Sequence, residues 1–176
     1  EINKEPVSAV CVGRDAEAAG RKLEFCGLES VYGYNLVGEF QAHAYEQALS
    51  DCIRLVKPAV VLIGGTFQGR ALAPRLAVEF NTGLTADCTQ LELDERGNLV
   101  QIRPAFGGNI MASILTEQSR PQIATVRPGI FESPDQQRPK RKELMIRRIE
   151  WPEGAKEKET IKLEPDSGIE KQDLLV

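Results

Sequence analysis

The chain has 176 residues, of which 41% are hydrophobic and 27% are charged, a composition typical of a globular protein with one core. Its 22 Lys and Arg residues against 26 Asp and Glu residues give a net charge of −4, which excludes a protein that binds nucleic acid through an overall basic surface. The sequence has no apolar run of the roughly 20 residues that cross a bilayer, and its acidic start does not resemble a signal peptide. We therefore expect neither a nucleic-acid partner nor direct membrane insertion.

The first 80 residues alternate between short apolar runs and helical patterns. The apolar runs predict buried strands at residues 6–13, 30–34 and 59–63. The helical patterns predict helices at residues 16–26, 42–56 and 71–80. Asp15 precedes the first helix as a capping residue, and Pro58 follows the second helix as a stop signal. This alternation predicts parallel strands that are connected by helices.

The pattern changes after residue 84. Residues 84–104 alternate around the turn residues 94–98, which is typical of a β-hairpin. Further apolar runs predict strands at residues 111–115, 122–126, 144–149 and 160–163. The predicted fold class is therefore α/β: a three-layer α/β/α sandwich with a mostly parallel sheet, together with a β-hairpin and late antiparallel strands.

The cysteines Cys11, Cys26, Cys52 and Cys88 lie far apart, and His43 is the one histidine of the chain. Without a Cys-x-x-Cys pair or a second histidine, we expect no metal site. Each cysteine lies in an apolar run or a helical pattern, which favours a small buried thiol and a reducing compartment. We find no arrangement of nucleophile and base, so we assign no catalytic residue.

A glycine-rich turn at residues 64–69 follows the strongest strand pattern and precedes a helix. Glycines in this place allow backbone N–H groups to face an anion at the N-terminus of the helix, so the turn could hold a phosphate. It matches neither the dinucleotide fingerprint nor the P-loop, because no Lys and Ser or Thr follow Gly69. A tight strand-to-helix turn without a ligand is the alternative interpretation.

Three polar, turn-rich segments occur at residues 82–88, 103–109 and 125–129, and we expect them to converge at one end of the sheet. Residues 86–87 should meet residues 127–129 at the carboxyl edge, where Asp87 is ion-paired or accepts loop N–H groups. Two interpretations stay open: the segments order one another, or they form a subunit interface or a cofactor-facing edge. The candidate residues for the second interpretation are Thr85, Asp87, Arg103, Phe106, Gly107, Gly108, Asn109, Arg127 and Gly129.

A basic stretch at residues 138–148 precedes an acidic segment. It lacks the interleaved aromatic residues that stack on bases, so a solvated or domain-facing strand is favoured over a nucleic-acid site. Binding of an acidic partner through this stretch is a further interpretation.

Four ordered motifs carry a resemblance to a known family, and they lie at residues 65–77, 82–88, 103–112 and 124–129. Together they closely resemble the N-terminal domain of the electron transfer flavoprotein alpha subunit. The resemblance covers about residues 6–149 and implies a fold similar to the adenine-nucleotide α-hydrolase type of α/β sandwich, which agrees with the alternation of strands and helices. Ala71 departs from the motif, since the family usually has Asp at this place.

The resemblance implies part of an electron carrier rather than an enzyme. Such a flavoprotein takes electrons from flavin dehydrogenases, such as acyl-CoA dehydrogenases, and passes them to a downstream acceptor. This domain would be the scaffold and the interface with the beta subunit. FAD would be bound mainly by a domain outside this sequence. The full complex of such a family member could also carry out electron bifurcation. A stand-alone adenine-nucleotide-binding domain is the alternative function.

On the same resemblance, residues 1–165 are expected to form the scaffold domain. Residues 166–176 are expected to be a linker and the start of the FAD-binding domain. A bacterial or archaeal cytoplasm and a mitochondrial matrix are both reducing compartments that suit the cysteines, and the cytoplasm is the favoured location.

Overall fold

The computed structural model describes residues 6–23, 26–36 and 38–132. Its elements are β1 (Ser8–Gly13), α1 (Ala16–Arg21), β2 (Ser30–Asn35), α2 (Ala42–Val56), β3 (Val60–Gly64), α3 (Phe67–Glu79), β4 (Leu84–Cys88), β5 (Gln90–Leu93), β6 (Leu99–Ala105), a 3-10 turn (Phe106–Gly108), β7 (Ile110–Ile114) and β8 (Gln122–Val126). The basic stretch 138–148, the strands predicted at 144–149 and 160–163, and the boundary at residues 165–166 lie outside the described residues.

The described strands form three hydrogen-bonded groups. β1 pairs with β2 in parallel, and β8 lies between β3 and β4 with both pairings parallel. β6 lies between β5 and β7 with both pairings antiparallel. The predicted α/β class, with mostly parallel strands and a hairpin, is therefore confirmed.

The prediction that residues 84–104 form one hairpin is wrong at its first end. β4 belongs to the parallel sheet, and only β5 and β6 form the hairpin. Thr85 and Cys88 of β4 are buried beside the fully buried β8 residues Ile123 and Ala124. A strand in a buried parallel sheet does not alternate between polar and apolar residues. The polar residues within 82–88 therefore gave no pattern that distinguishes this strand from the hairpin that follows it.

Two helices differ from their predicted bounds. The side chain of Asp15 accepts a hydrogen bond from the N–H of Ala18 at 2.9 Å, which confirms the predicted cap of α1. This helix nevertheless ends at Arg21 rather than at residue 26, because the next backbone bonds, such as the one from Leu23 N to the Gly20 oxygen, close tight three-residue turns. α3 begins at Phe67 rather than at residue 71.

The core lies where α2 and α3 cover the strands. Leu76 of α3 and Ile123 of β8 are fully buried and pack with Ile53 of α2. A second cluster joins α2 to β2 through Tyr34, whose hydroxyl donates to Asp51 at 2.9 Å. Because central β8 and both long helices share this core, the carboxyl end of β8 has a rigid support.

The cysteines are only partly as expected. Cys52 and Cys88 are buried, and burial raises the pKa of the Cys88 thiol. Cys11 and Cys26 are half-buried, which corrects the prediction that all four thiols are buried. Cys26 follows the early end of α1 and so is not on a helix face that packs against the core. Within the described residues, no helix combines the length and the apolar character that crossing a membrane requires.

Candidate functional site

A β-bulge in β4 shapes the carboxyl end of the parallel sheet. Thr85 pairs with Ala124 and Cys88 pairs with Val126, so two residues of β4 stand opposite the single residue Thr125 of β8. One of the two is Asp87, whose φ of 62° is in the left-handed region that non-glycine residues rarely adopt. The hydroxyl of Thr125 accepts a hydrogen bond from the N–H of Asp87 at 2.8 Å. The side chain of Thr125 thus satisfies a backbone donor that the bulge removes from the ladder.

The bulge directs Asp87 to Arg127. The Nε atom of Arg127 donates to Asp87 Oδ1 at 3.1 Å, and its Nη2 atom donates to Oδ2 at 2.6 Å. The backbone N–H of Arg127 also donates to the carbonyl of Cys88 at 2.9 Å. This two-bond pair between residues 40 positions apart confirms the prediction that the two segments meet at the carboxyl edge.

Two further arginines are held beside this pair by the backbone. The carbonyl of Gly65 accepts a bond from Arg70 Nε at 2.9 Å, and the N–H of Gly65 donates to the Val126 carbonyl at 2.7 Å, next to Arg127. On the other side, the N–H of Thr89 donates to the carbonyl of Ile102, which precedes Arg103. We call Arg70, Arg103 and Arg127, the three arginines whose charges act on Asp87, the arginine cluster.

The charge of the cluster acts on its one carboxylate. The hydrogen bonds from Arg127 lower the pKa of Asp87 most, and partial burial opposes them. The charges of Arg127, Arg70 and Arg103 lower the pKa further. Asp87 is therefore ionised at neutral pH and holds Arg127 in a defined orientation.

The remaining predicted site residues make no hydrogen bond to the side chains of the pair within the described part of the chain. Thr85 is buried under the bulge. Residues 106–109 form an exposed turn between β6 and β7, in which Phe106, Gly107 and Gly108 have positive φ. Gly129 also has a positive φ, and a Cβ atom there would meet no atom within 4 Å. The described structure shows no hydrogen bond from the 106–109 turn to Asp87 or Arg127.

The glycine-rich turn is closed by the protein itself. A Cβ atom on Gly69 would lie 1.9 Å from the carbonyl oxygen of Gly64, so α3 begins in contact with the end of β3. The side chain of Thr66 caps the helix by accepting from Gly69 N at 3.1 Å. The Gly65 N–H is bonded to Val126. These engaged donors favour the tight turn without a ligand over a phosphate site.

Sequence reasoning missed Arg70 and Thr125 as members of this site. Arg70 was visible only as the residue after the glycine-rich turn, and Thr125 only as part of a turn-rich segment. Their roles depend on contacts with residues 64–65 and with Asp87, and no local pattern reports those contacts.

Comparisons with known proteins agree with the resemblance found in the motifs. A family model described as the electron transfer flavoprotein domain matches residues 1–150. A lactate dehydrogenase (NAD(+),ferredoxin) subunit, LctC, of Acetobacterium woodii is 47% identical over 132 residues, which are 74% of this chain and 32% of that protein. An electron transfer flavoprotein subunit alpha of Thermoanaerobacterium thermosaccharolyticum is 46% identical over 72% of this chain and 39% of its own length.

A protein FixB of Azorhizobium caulinodans is also similar, at 38% identity over 76% of this chain and 38% of that protein. The chain thus spans between about a third and two-fifths of the length of these curated relatives.

Proposed function

The chain belongs to the electron transfer flavoprotein family, and on that premise we propose that it is the scaffold domain and beta-subunit interface of a flavin-based electron carrier. The observation that carries this proposal is the match of the family model to residues 1–150, together with the 41–47% identity to relatives that include alpha subunits. The carrier would take electrons from flavin dehydrogenases, acyl-CoA dehydrogenases among them, and deliver them to an acceptor. The name of the relative LctC, which pairs NAD(+) with ferredoxin, supports bifurcation as a further activity of the full complex.

In such a carrier the flavin holds the electrons, and the protein supplies orientation and contacts. The described residues do not fit the pyrophosphate of FAD at the glycine-rich turn. The donors of Gly65 and Gly69 are engaged, and the helix begins in contact with the strand. We therefore place FAD mainly on a domain outside this sequence. The engaged donors of this turn favour the electron carrier over the alternative function, a stand-alone adenine-nucleotide-binding domain that would use the turn as its phosphate site.

We propose that the exposed turn between β6 and β7 contacts the beta subunit. Phe106 is 81% exposed, and the neighbouring Ile110 and Met111 are about half exposed. Large apolar and aromatic side chains grouped at one end of a sheet are typical of protein interfaces. The Asp87–Arg127 pair would order the segments below this turn.

The location that we propose is a bacterial cytoplasm. The four free cysteines are compatible with a reducing compartment, and the similar relatives described above come from bacteria.

Co-expression with the beta subunit from the same genome tests the proposed function. We expect the full-length protein that contains this chain to elute with the beta subunit in size-exclusion chromatography, with flavin bound to the complex. We expect the 176-residue chain purified alone to be colourless. No complex, or a stoichiometric flavin on the isolated chain, would contradict the proposal.

A matched pair of substitutions tests the role of the exposed turn. Phe106→Ala should weaken the affinity for the beta subunit by about tenfold or more, since an aromatic interface anchor contributes above about 1.4 kcal/mol. Val78→Ala is the control, because Val78 is equally exposed but lies near the amino end of β4. Equal affinities of the two variants would show that the turn is outside the interface.

A further inference from the structure

The arginine cluster carries more positive charge than the described protein neutralises. Asp87 is ion-paired with Arg127, and within the described ranges 6–23, 26–36 and 38–132, Arg70 and Arg103 form no ion pair. Their Nε atoms donate only to backbone carbonyls, those of Gly65 at 2.9 Å and Pro104 at 3.4 Å. Three guanidinium groups and one carboxylate therefore leave two positive charges available to a ligand.

The positions of these charges come from three different elements. Arg70 lies in the first turn of α3, Arg103 lies in β6, and Arg127 follows β8. The backbone bonds at Gly65, Thr89 and Arg127 hold these elements together. Arginines are therefore presented near the carboxyl end of a parallel sheet, on elements with a rigid support, and the bulge holds Asp87 against one of them, Arg127.

Exposed apolar residues belong to the same segments as two of these arginines. On the β6–β7 ladder, Arg103 pairs with Ala112 and Ala105 pairs with Ile110, so Arg103 and the exposed Ile110 share one face of the sheet. Ile130 and Phe131 follow Arg127 in the chain and are about half exposed. Arginine grouped with exposed aromatic and aliphatic residues is the composition of a protein interface centre.

We propose that the arginine cluster binds one or two carboxylates of an acidic, partly apolar segment of the beta subunit. This proposal rests on the function proposed above. The incoming carboxylates pair with Arg70 and Arg103, while Asp87 keeps Arg127 in place. Arginine presents a fork of donors that fits a carboxylate with two parallel bonds. The exposed apolar residues of the same segments, Ile110, Ile130 and Phe131, contact the rest of the bound segment.

A protein carboxylate fits this surface better than a phosphate. Phosphate sites combine positive side chains with free backbone N–H groups at a helix N-terminus. Here the N–H groups of Gly69 and Arg70 are engaged by the side chain and the carbonyl of Thr66. The cluster is also open, since the side chains of Asp87 and Arg127 are 36% and 41% exposed, whereas small ligands are bound in clefts that cover most of their surface.

The test measures the affinity of the beta subunit for the full-length protein that contains this chain, at two salt concentrations. Arg103→Gln and Arg70→Gln should each weaken the affinity by about tenfold at low salt and should reduce its salt dependence. Arg96→Gln is the matched control, because Arg96 lies in the turn at the opposite end of the same hairpin and its loss removes the same charge. Circular dichroism and thermal unfolding verify that all three variants are folded.

The outcomes separate the inference from the proposed function. If the wild-type proteins do not associate, both are overturned. If they associate and the three variants bind equally, only the inference is overturned. A third measurement adds inorganic pyrophosphate to the chain alone: a thermal stabilisation that Arg70→Gln and Arg103→Gln abolish would assign the cluster to a phosphate ligand and would also overturn the inference. Loss of affinity in both cluster variants, without such stabilisation, supports it.

Discussion

Replacement of Gly69 by alanine tests whether the glycine-rich turn is structural. A Cβ atom at this position would lie 1.9 Å from the Gly64 oxygen, whereas ordinary contacts begin at 3.4 Å. The start of α3 would have to move away by the difference, about 1.5 Å. The neighbouring Leu72 and Leu76 are buried at 5% and 0% exposure, so this movement also disturbs the core.

Two effects of Gly69→Ala oppose one another. Alanine inside a helix is favoured over glycine by about 1 kcal/mol. Overpacking typically costs about 1–3 kcal/mol, and a contact with a rigid backbone carbonyl belongs at or above the upper end of this range. We therefore expect the free energy of unfolding to fall by about 2 kcal/mol, measured by urea denaturation followed by circular dichroism.

Gly64→Ala is the control for this measurement. A Cβ atom on Gly64 would be 3.9 Å from Thr66 Cγ2, which is an ordinary contact, so its effect should remain within about 0.5 kcal/mol. A Gly69→Ala variant as stable as the wild type would refute the close approach of α3 to β3. The turn would then have room for a ligand, and the phosphate interpretation would return.

Three further predictions concern single side chains. Because the folded pKa of Asp87 is lowered, its pair with Arg127 stabilises the protein above the unfolded pKa, and this stability is lost as the pH falls through the folded pKa. The stability difference between wild type and Asp87→Asn should therefore shrink as the pH falls below the ordinary pKa of an aspartate, and a constant difference would contradict the pair. Thr66→Ala should lower the free energy of unfolding by about 1 kcal/mol, and Thr66→Ser should restore it, because both hydroxyls can cap α3. An unchanged stability of Thr66→Ala would show that the cap is dispensable. Gln101 is fully buried with neither amide atom hydrogen-bonded, so Gln101→Leu should raise the stability by about 1 kcal/mol in the same urea assay; a loss would show that the amide has a partner.

Local patterns were sufficient for the elements whose causes lie within a dozen residues. The apolar period of α2 predicted its bounds of 42–56, and the structure has the same helix. The cap at Asp15 was readable because the donor it satisfies is three residues away. The hairpin turn was readable for the same reason, since Asp94 accepts from the N–H groups of Arg96 and Asn98.

One long-range feature of the site was also predictable. Polar segments after parallel strands converge at the carboxyl edge of a sheet, and this rule predicts that the segments of Asp87 and Arg127 meet, as they do. The family was recognisable because four motifs occur in order, and the match of the family model confirms it.

Only the tertiary structure decided which strands pair and how the cluster forms. Residues 84–88 pair with β8, whose residues lie almost 40 positions away in the chain. The sequence did not reveal this pairing, because a buried strand with polar residues has the pattern of a loop. The bulge that turns Asp87 toward Arg127 exists because Thr125 replaces a lost ladder bond. Arg70 joins the cluster through the contact between Gly65 and Val126. Periodicity and capping act within one element. The arginines of this surface lie on different elements, and hydrogen bonds between those elements bring them to one place, which no local segment can show.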